Sequence, residues 1–141
     1  MSGSVRFSGV QVGDSIPELV LPPIERLQLA LFAGASGDHN PIHVDEDKAR
    51  GGGLPGVIAH GMLNMAVLGR LLTNWVPQRA LRGFGARFSA MAFPGDVVTC
   101  RGQITNKTEA AGEKLVELAL TAENQKGDKL LVGTATVALP E

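Results

Sequence analysis

Ser36-Gly37-Asp38-His39-Asn40-Pro41-Ile42-His43-Val44-Asp45 is the densest run of reactive groups in the chain, and the apolar segments on either side read as its support. Asp38 and His43 stand five residues apart. On a regular helix or strand they would face each other poorly, but Gly37, Asn40 and Pro41 predict a turn. A turn can fold the carboxylate and the imidazole toward one point, suited to a water molecule or a substrate proton. Two such groups on one small site make a common general acid–base pair. The plainer reading is that Asp38 and Asn40 are ordinary turn and cap residues. His43 in the same ten residues weighs toward chemistry, and at this level both readings stay open.

A metal reading starts from His43-x-Asp45, which has the spacing of the facial ligand pair in some iron proteins. It requires a distant second histidine. Only His39 and His60 remain, and His39 belongs to the same turn. A calcium loop beginning at Asp38 fails, because Val44, Lys48 and Ala49 fall where such loops need a glycine or carboxylates. The expectation is no metal and no cofactor.

The run Phe32…Ser36 to Asp45…Ala49 resembles the hydratase motif of MaoC-like (R)-specific enoyl-CoA hydratases and related dehydratases. Ala59-His60-Gly61-Met62-Leu63 resembles the same family, in the expected order and spacing. The resemblance runs from about Val10 to the end of the chain, with no departure at the motif positions. It implies a hot-dog fold, a coenzyme A or acyl-carrier-protein thioester substrate, and Asp38 and His43 as the catalytic pair.

Composition agrees with one domain spanning residues 1–141. A chain of this length can bury close to ~70% of its unfolded surface. It is 44% apolar with a net charge of −1. Its 13 basic residues are matched by 14 acids and do not cluster, which argues against nucleic acid as a partner. Cys100 is the only cysteine, so no internal disulfide can form, and a reducing compartment is compatible. Met1 to Arg6 lacks the apolar run of a signal peptide. The richest apolar stretch, Met62 to Val76, is interrupted by Asn64, Arg70 and Asn74, so no membrane span is expected. These features predict a soluble, cytoplasmic protein.

Taken in order, residues 1–8 read as a loose tail. Val10 to Asp14 alternates and predicts a short strand, and Leu19-Val20-Leu21 a second, stopped by Pro22-Pro23. Ile24, Leu27, Leu31 and Phe32 fall at helical spacing and predict a helix over about 24–34 that delivers the chain into the Asp38 turn. Asp45-Glu46-Asp47-Lys48-Ala49-Arg50 places acids first and bases last, as a short helix favours, with Asp45 at its N-terminus. Gly51 to Gly56 reads as a flexible loop. Gly61 to Trp75 predicts a helix apolar on nearly every side, with a narrow polar stripe at Asn64, Arg70 and Thr73, and therefore buried. His60, just before it, reads as a structural hydrogen-bonding residue rather than a catalyst.

Residues 81–93, 96–105, 114–123 and 129–139 read as strands. Val116, Leu118, Leu120 and Ala122 alternate with more polar neighbours, one face toward a core. The connections at Pro94-Gly95, 108–112 and 124–128 are short, so the pairing is antiparallel. The pattern predicts an α+β domain: an antiparallel sheet of about five strands wrapped around one buried central helix, the hot-dog arrangement. One helix covers one sheet face only, so self-association is expected, as a homodimer or a heterodimer with a related subunit. The resemblance puts the acyl pocket at or near that contact. Cys100 reads as a core residue.

The reaction these residues suit is reversible hydration of a trans-2-enoyl thioester to the (R)-3-hydroxyacyl thioester. His43 and Asp38 would share the two proton transfers through one water. Gly61 would offer a backbone N–H to the thioester oxygen and, lacking a side chain, let it approach. Asn40 would hold the carboxylate or the water. The competing readings are a hot-dog thioesterase, which gives no reason for this Asp-x-Asn-Pro-x-His run, and a non-catalytic acyl-thioester-binding subunit of a dehydratase complex, against which the intact pair argues.

Overall fold

The computed structural model describes residues 4–141. Its elements in chain order are β1 (Leu19–Val20), α1 (Arg26–Ser36), α2 (Glu46–Gly51), α3 (Gly61–Trp75), β2 (Leu81–Phe88), β3 (Thr99–Ala110), β4 (Glu113–Glu123) and β5 (Lys129–Ala138). The strands form one antiparallel sheet in the order β1-β3-β4-β5-β2. The long helix α3 packs against β2, β3, β4 and β5. This is the hot-dog arrangement expected from the pattern.

The sheet follows the period-2 reading closely in β4. Val116, Leu118, Leu120 and Ala122 are all buried, facing Leu68, Leu71 and Leu72 of α3 in one core. β5 supplies Leu131, Ala135 and Val137 to it. Gly133 of β5 is a close approach rather than a turn: a Cβ there would run into the Gly85 carbonyl oxygen and Ala86 of β2. Cys100 lies in the core, its thiol pushed up to about 11 by burial, which makes it a poor nucleophile.

Several expectations need correction. Val10 to Asp14 is not a strand. Gly13 adopts φ 98°, and Asp14 accepts from the Gln11 N–H across the turn. The segment still lies along β3, through separate bonds rather than a strand ladder: Gly13 N–H donates to Ile104 O, Ile104 N–H to Asp14 O and Ile16 N–H to Gly102 O, with Ser15 bridged to Gln103. Pro17 has no N–H to continue these bonds before β1 begins. The proposed tail is held at Arg6, whose guanidinium donates to Glu141 O, and at Phe7. Phe7 N–H donates to Pro140 O, and Lys107 Nζ donates to Phe7 O and Val10 O while lying 4.2 Å from the Phe7 ring centroid. Residues 1–3 lie outside the described part.

The 81–93 strand ends at Phe88, and β3 starts three residues late and runs on to Ala110. The β3–β4 link is a two-residue turn at Ala111 and Gly112, both with positive φ. The Gly51–Gly56 loop is anchored rather than free: Gly52, Gly53 and Leu54 donate to carbonyls of α2, and Val57 N–H reaches Glu46.

The helices differ from expectation in which face they bury. In α1 the buried residues are Leu29 and Ala33, while Leu27 and Leu31 are each 65% exposed. In α3 the buried face is Leu63, Asn64, Val67, Leu68, Leu71 and Leu72. Met62 is 59% exposed, and Asn64, read as part of a polar stripe, is inside. α3 is thus buried along one side of this chain and open along the other. No helix among the described residues is long and apolar enough to cross a membrane.

Candidate active site

The site is built by the turn that leaves α1. Gly37 closes the helix in the left-handed region at φ 79°, with its N–H on Ala33 O, a conformation that suits glycine. The chain then reverses through nested side-chain bonds. Asp38 N–H donates to Ser36 Oγ, Asn40 N–H donates to Asp38 Oδ1 at 3.3 Å, and Ile42 N–H donates to Asn40 Oδ1 at 3.2 Å. Pro41 to His43 form a single 3-10 turn, with Pro41 at its first position where no N–H is needed. Asp45 caps the next helix by accepting from Lys48 N–H, and Glu46 and Asp47 fill its acidic first turn, as the charge order predicted.

This turn brings Asp38 and His43 together. Asp38 Oδ2 lies 3.7 Å from His43 Nε2, with the aspartate side chain 50% exposed and the histidine side chain 7% exposed. That separation is too long for a direct hydrogen bond. It leaves both atoms able to reach one small oxygen about 2.8 Å from each.

The second half of the site is the segment before α3. Ile58 N–H donates to Ile42 O, and Ala59 N–H donates to Ala92 O, so this segment is held between the turn and the loop after β2. Ile58 O lies 2.7 Å from His43 Nδ1. A carbonyl oxygen only accepts, so Nδ1 carries the proton, and in the neutral ring the Nε2 lone pair faces Asp38.

His60 is the residue that sequence reasoning undervalued. It is 1% exposed, and its ring stacks on His43 with centroids 3.8 Å apart at 22°. The Phe32 ring meets it edge-on at 4.8 Å, and its Nε2 lies 3.2 Å from Asp38 O. It is the hydrogen-bonding residue expected, but inside the site rather than beside it. Burial, then the neighbouring His43, pull its pKa below 6.5 against the hydrogen bond to Asp38, so it is neutral at neutral pH. The signal for it in the sequence was its place directly before Gly61.

Gly61 is the first residue of α3, and His60, its N-cap, makes no side-chain cap bond. Leu63 and Asn64 N–H groups turn back to His60 O, while the helix pattern leaves the Gly61 and Met62 amides without an intrahelical partner. A Cβ on Gly61 would come within 3.0 Å of Phe88 Cε1, so the backbone here is overlaid by that ring. Asn40 stands at the site differently from expectation: its backbone N–H holds the Asp38 carboxylate, while its side-chain oxygen caps the 41–43 turn.

Donor atoms of Asp38, His43 and His60 lie within 4.8 Å of one another. The two imidazoles are stacked in nearly parallel planes, so their in-plane lone pairs do not converge as ligands on one ion must, and His43 Nδ1 is engaged with Ile58. A depression of about 620 Å³ lined by Trp75, Arg79, Arg82 and Leu139 lies at the other end of α3 and includes none of these residues.

The MaoC like domain family matches residues 11–126. The chain is 33% identical over 141 residues to an (R)-specific enoyl-CoA hydratase of Rhodospirillum rubrum, covering 95% of this chain and 91% of that protein. The unliganded R-hydratase PhaJ1 from Pseudomonas aeruginosa superposes with a TM-score of 0.85 at 28% identity, over 98% of this chain and 87% of that one. A fatty acid synthase subunit beta of Aspergillus oryzae is 36% identical over 115 residues, 79% of this chain, which spans only 6% of the length of that subunit. Matched over most of its length in sequence and in fold, the chain belongs to the MaoC like domain family.

Proposed function

We propose that this chain catalyses the reversible addition of water to trans-2-enoyl thioesters, giving (R)-3-hydroxyacyl thioesters, with Asp38 and His43 as the acid–base pair. The observation that carries this reading is the locked tautomer of His43. With Nδ1–H held by Ile58 O, Nε2 presents its lone pair 3.7 Å from a half-exposed carboxylate. A water between them would be oriented by both. As its oxygen bonds to C3, its proton passes to the pair, and the pair returns a proton to C2. The charge that builds on the thioester oxygen in between would be met by the unpartnered amide of Gly61 at the positive end of α3. Net, one H and one OH are added across the double bond.

The substrate is a coenzyme A thioester or its acyl-carrier-protein counterpart. A relative named as an (R)-specific enoyl-CoA hydratase supports the first. The chain works as a dimer in this reading. β2 is an edge strand of eight residues, and Phe88, Met62, Leu27 and Leu31 leave apolar surface exposed. A second copy that covers this surface would also close the wall of an acyl pocket.

Crotonyl-CoA tests the reaction. Loss of enoyl absorbance without release of free thiol is the expected result. Thiol release would make the chain a thioesterase, and binding without either change would make it a non-catalytic subunit.

A further inference from the structure

His60 touches both members of the proposed pair, yet the chemistry assigned to Asp38 and His43 does not use it. Its Nε2 faces a carbonyl oxygen, Asp38 O at 3.2 Å, so the proton of the ring sits on Nε2 and is donated there. Its Nδ1 is fully buried without a hydrogen-bond partner. A bare lone pair in an apolar setting is tolerable, whereas a second proton on Nδ1 would be an orphaned donor in a positively charged ring. The titratable groups acting on it are His43, from the 41–43 turn, and Asp38, from the turn after α1; α1 itself packs Phe32 on it.

We propose that His60 is a positioning residue for the Asp38/His43 pair, its ring the platform on which His43 is stacked and its Nε2–H the clamp on the Asp38 main chain. The inference rests on the hydratase reading of that pair. One side chain thereby fixes the two partners relative to each other, across 22 residues of sequence in one case and 17 in the other. The neutral ring also leaves the positive charge of turnover to His43 alone, face to face with a π system rather than a second cation.

Two variants of the full chain separate the two contacts. His60→Phe keeps an aromatic platform and loses the donor. His60→Gln keeps an amide donor near the Nε2 position and loses the platform. Folding is checked by circular dichroism and thermal midpoint, and crotonyl-CoA hydration is expressed per folded molecule. We expect kcat to fall at least about 10-fold in both, with KM within about twofold of wild type, because misplaced groups lose rate rather than affinity. The pH profile of kcat/KM should move in His60→Gln, where His43 loses its stacking partner. Wild-type kcat and an unmoved profile in both variants would overturn the inference.

Two NMR measurements do not depend on turnover. In the wild-type chain at neutral pH, imidazole nitrogen shifts should report His60 neutral with its proton on Nε2; a protonated ring or an Nδ1–H tautomer overturns the clamp even if neither variant folds. The His43 ring signals should shift in His60→Gln, where the stacked ring is gone, and unmoved signals overturn the platform. If the wild-type chain does not hydrate crotonyl-CoA, the functional reading fails, while these two results still decide the clamp and the platform.

Discussion

Asp38→Asn is the most informative single substitution, because the structure predicts what the amide would do. The asparagine oxygen can keep the place of Oδ1 and continue to accept the Asn40 N–H, now at 3.3 Å. Its NH2 group then replaces Oδ2, 3.7 Å from His43 Nε2. Nε2 carries a lone pair in the neutral ring, so a small rotation would let the amide donate to it and occupy the proposed base. The side chain is half-exposed, and the turn bonds survive, so stability should change by no more than about 0.5 kcal/mol. The rate should not survive. Loss of a general acid–base group costs at least ~10²-fold in kcat, or about 2.7 kcal/mol in the barrier. The assay is crotonyl-CoA hydration followed by enoyl absorbance at saturating substrate, beside a thermal melt of the same preparation. Turnover near wild type with an intact melt would refute the role given to Asp38.

Three further outcomes are expected. Gly61→Val should drive the Phe88 ring outward, since even a Cβ meets it at 3.0 Å, and lower kcat/KM by on the order of 10²-fold per folded molecule; a change in the melt alone would reduce Gly61 to a helix-entry residue. Acidification should cost stability through His60. Its folded pKa lies below 6.5, so the unfolded chain takes up the proton first, and stability falls as pH drops from about 6.5 toward the folded value, with no contribution at higher pH. Melts across that window should be flatter for His60→Phe than for wild type, and equal slopes would contradict this. In sedimentation at assay concentrations the chain should run as a dimer whose dissociation on dilution lowers activity; a fully active monomer would contradict the pairing of two copies.

The Asp38–His43 meeting was readable because both residues belong to one local turn, and Gly37, Asn40 and Pro41 are the residues such a turn demands. α2 with its Asp45 cap, the full extent of α3 and the inward face of β4 were readable for the same reason, as local patterns with one solution. Contacts between distant segments were not. Nothing near His43 announces Ile58 O, and nothing near His60 announces the ring of His43, because those bonds form when the segment before α3 is laid beside the turn. Helical spacing located α1 but did not say which side would be covered. Leu27 and Leu31 look as apolar as Leu29 and Ala33, and the chain buries the second pair. The strand expected over Val10 to Asp14 failed at Gly13, and the loose tail failed at Lys107, a cation 100 residues away from Phe7.

The central claim is that Asp38 and His43 act on one and the same oxygen. A double-mutant cycle of Asp38→Asn and His43→Gln on crotonyl-CoA hydration tests it most directly. Two groups serving one water cannot each be lost twice, so the double variant should be about as slow as the slower single variant. A double variant whose loss in kcat is the product of the two single losses would contradict the account, placing the two residues in separate steps.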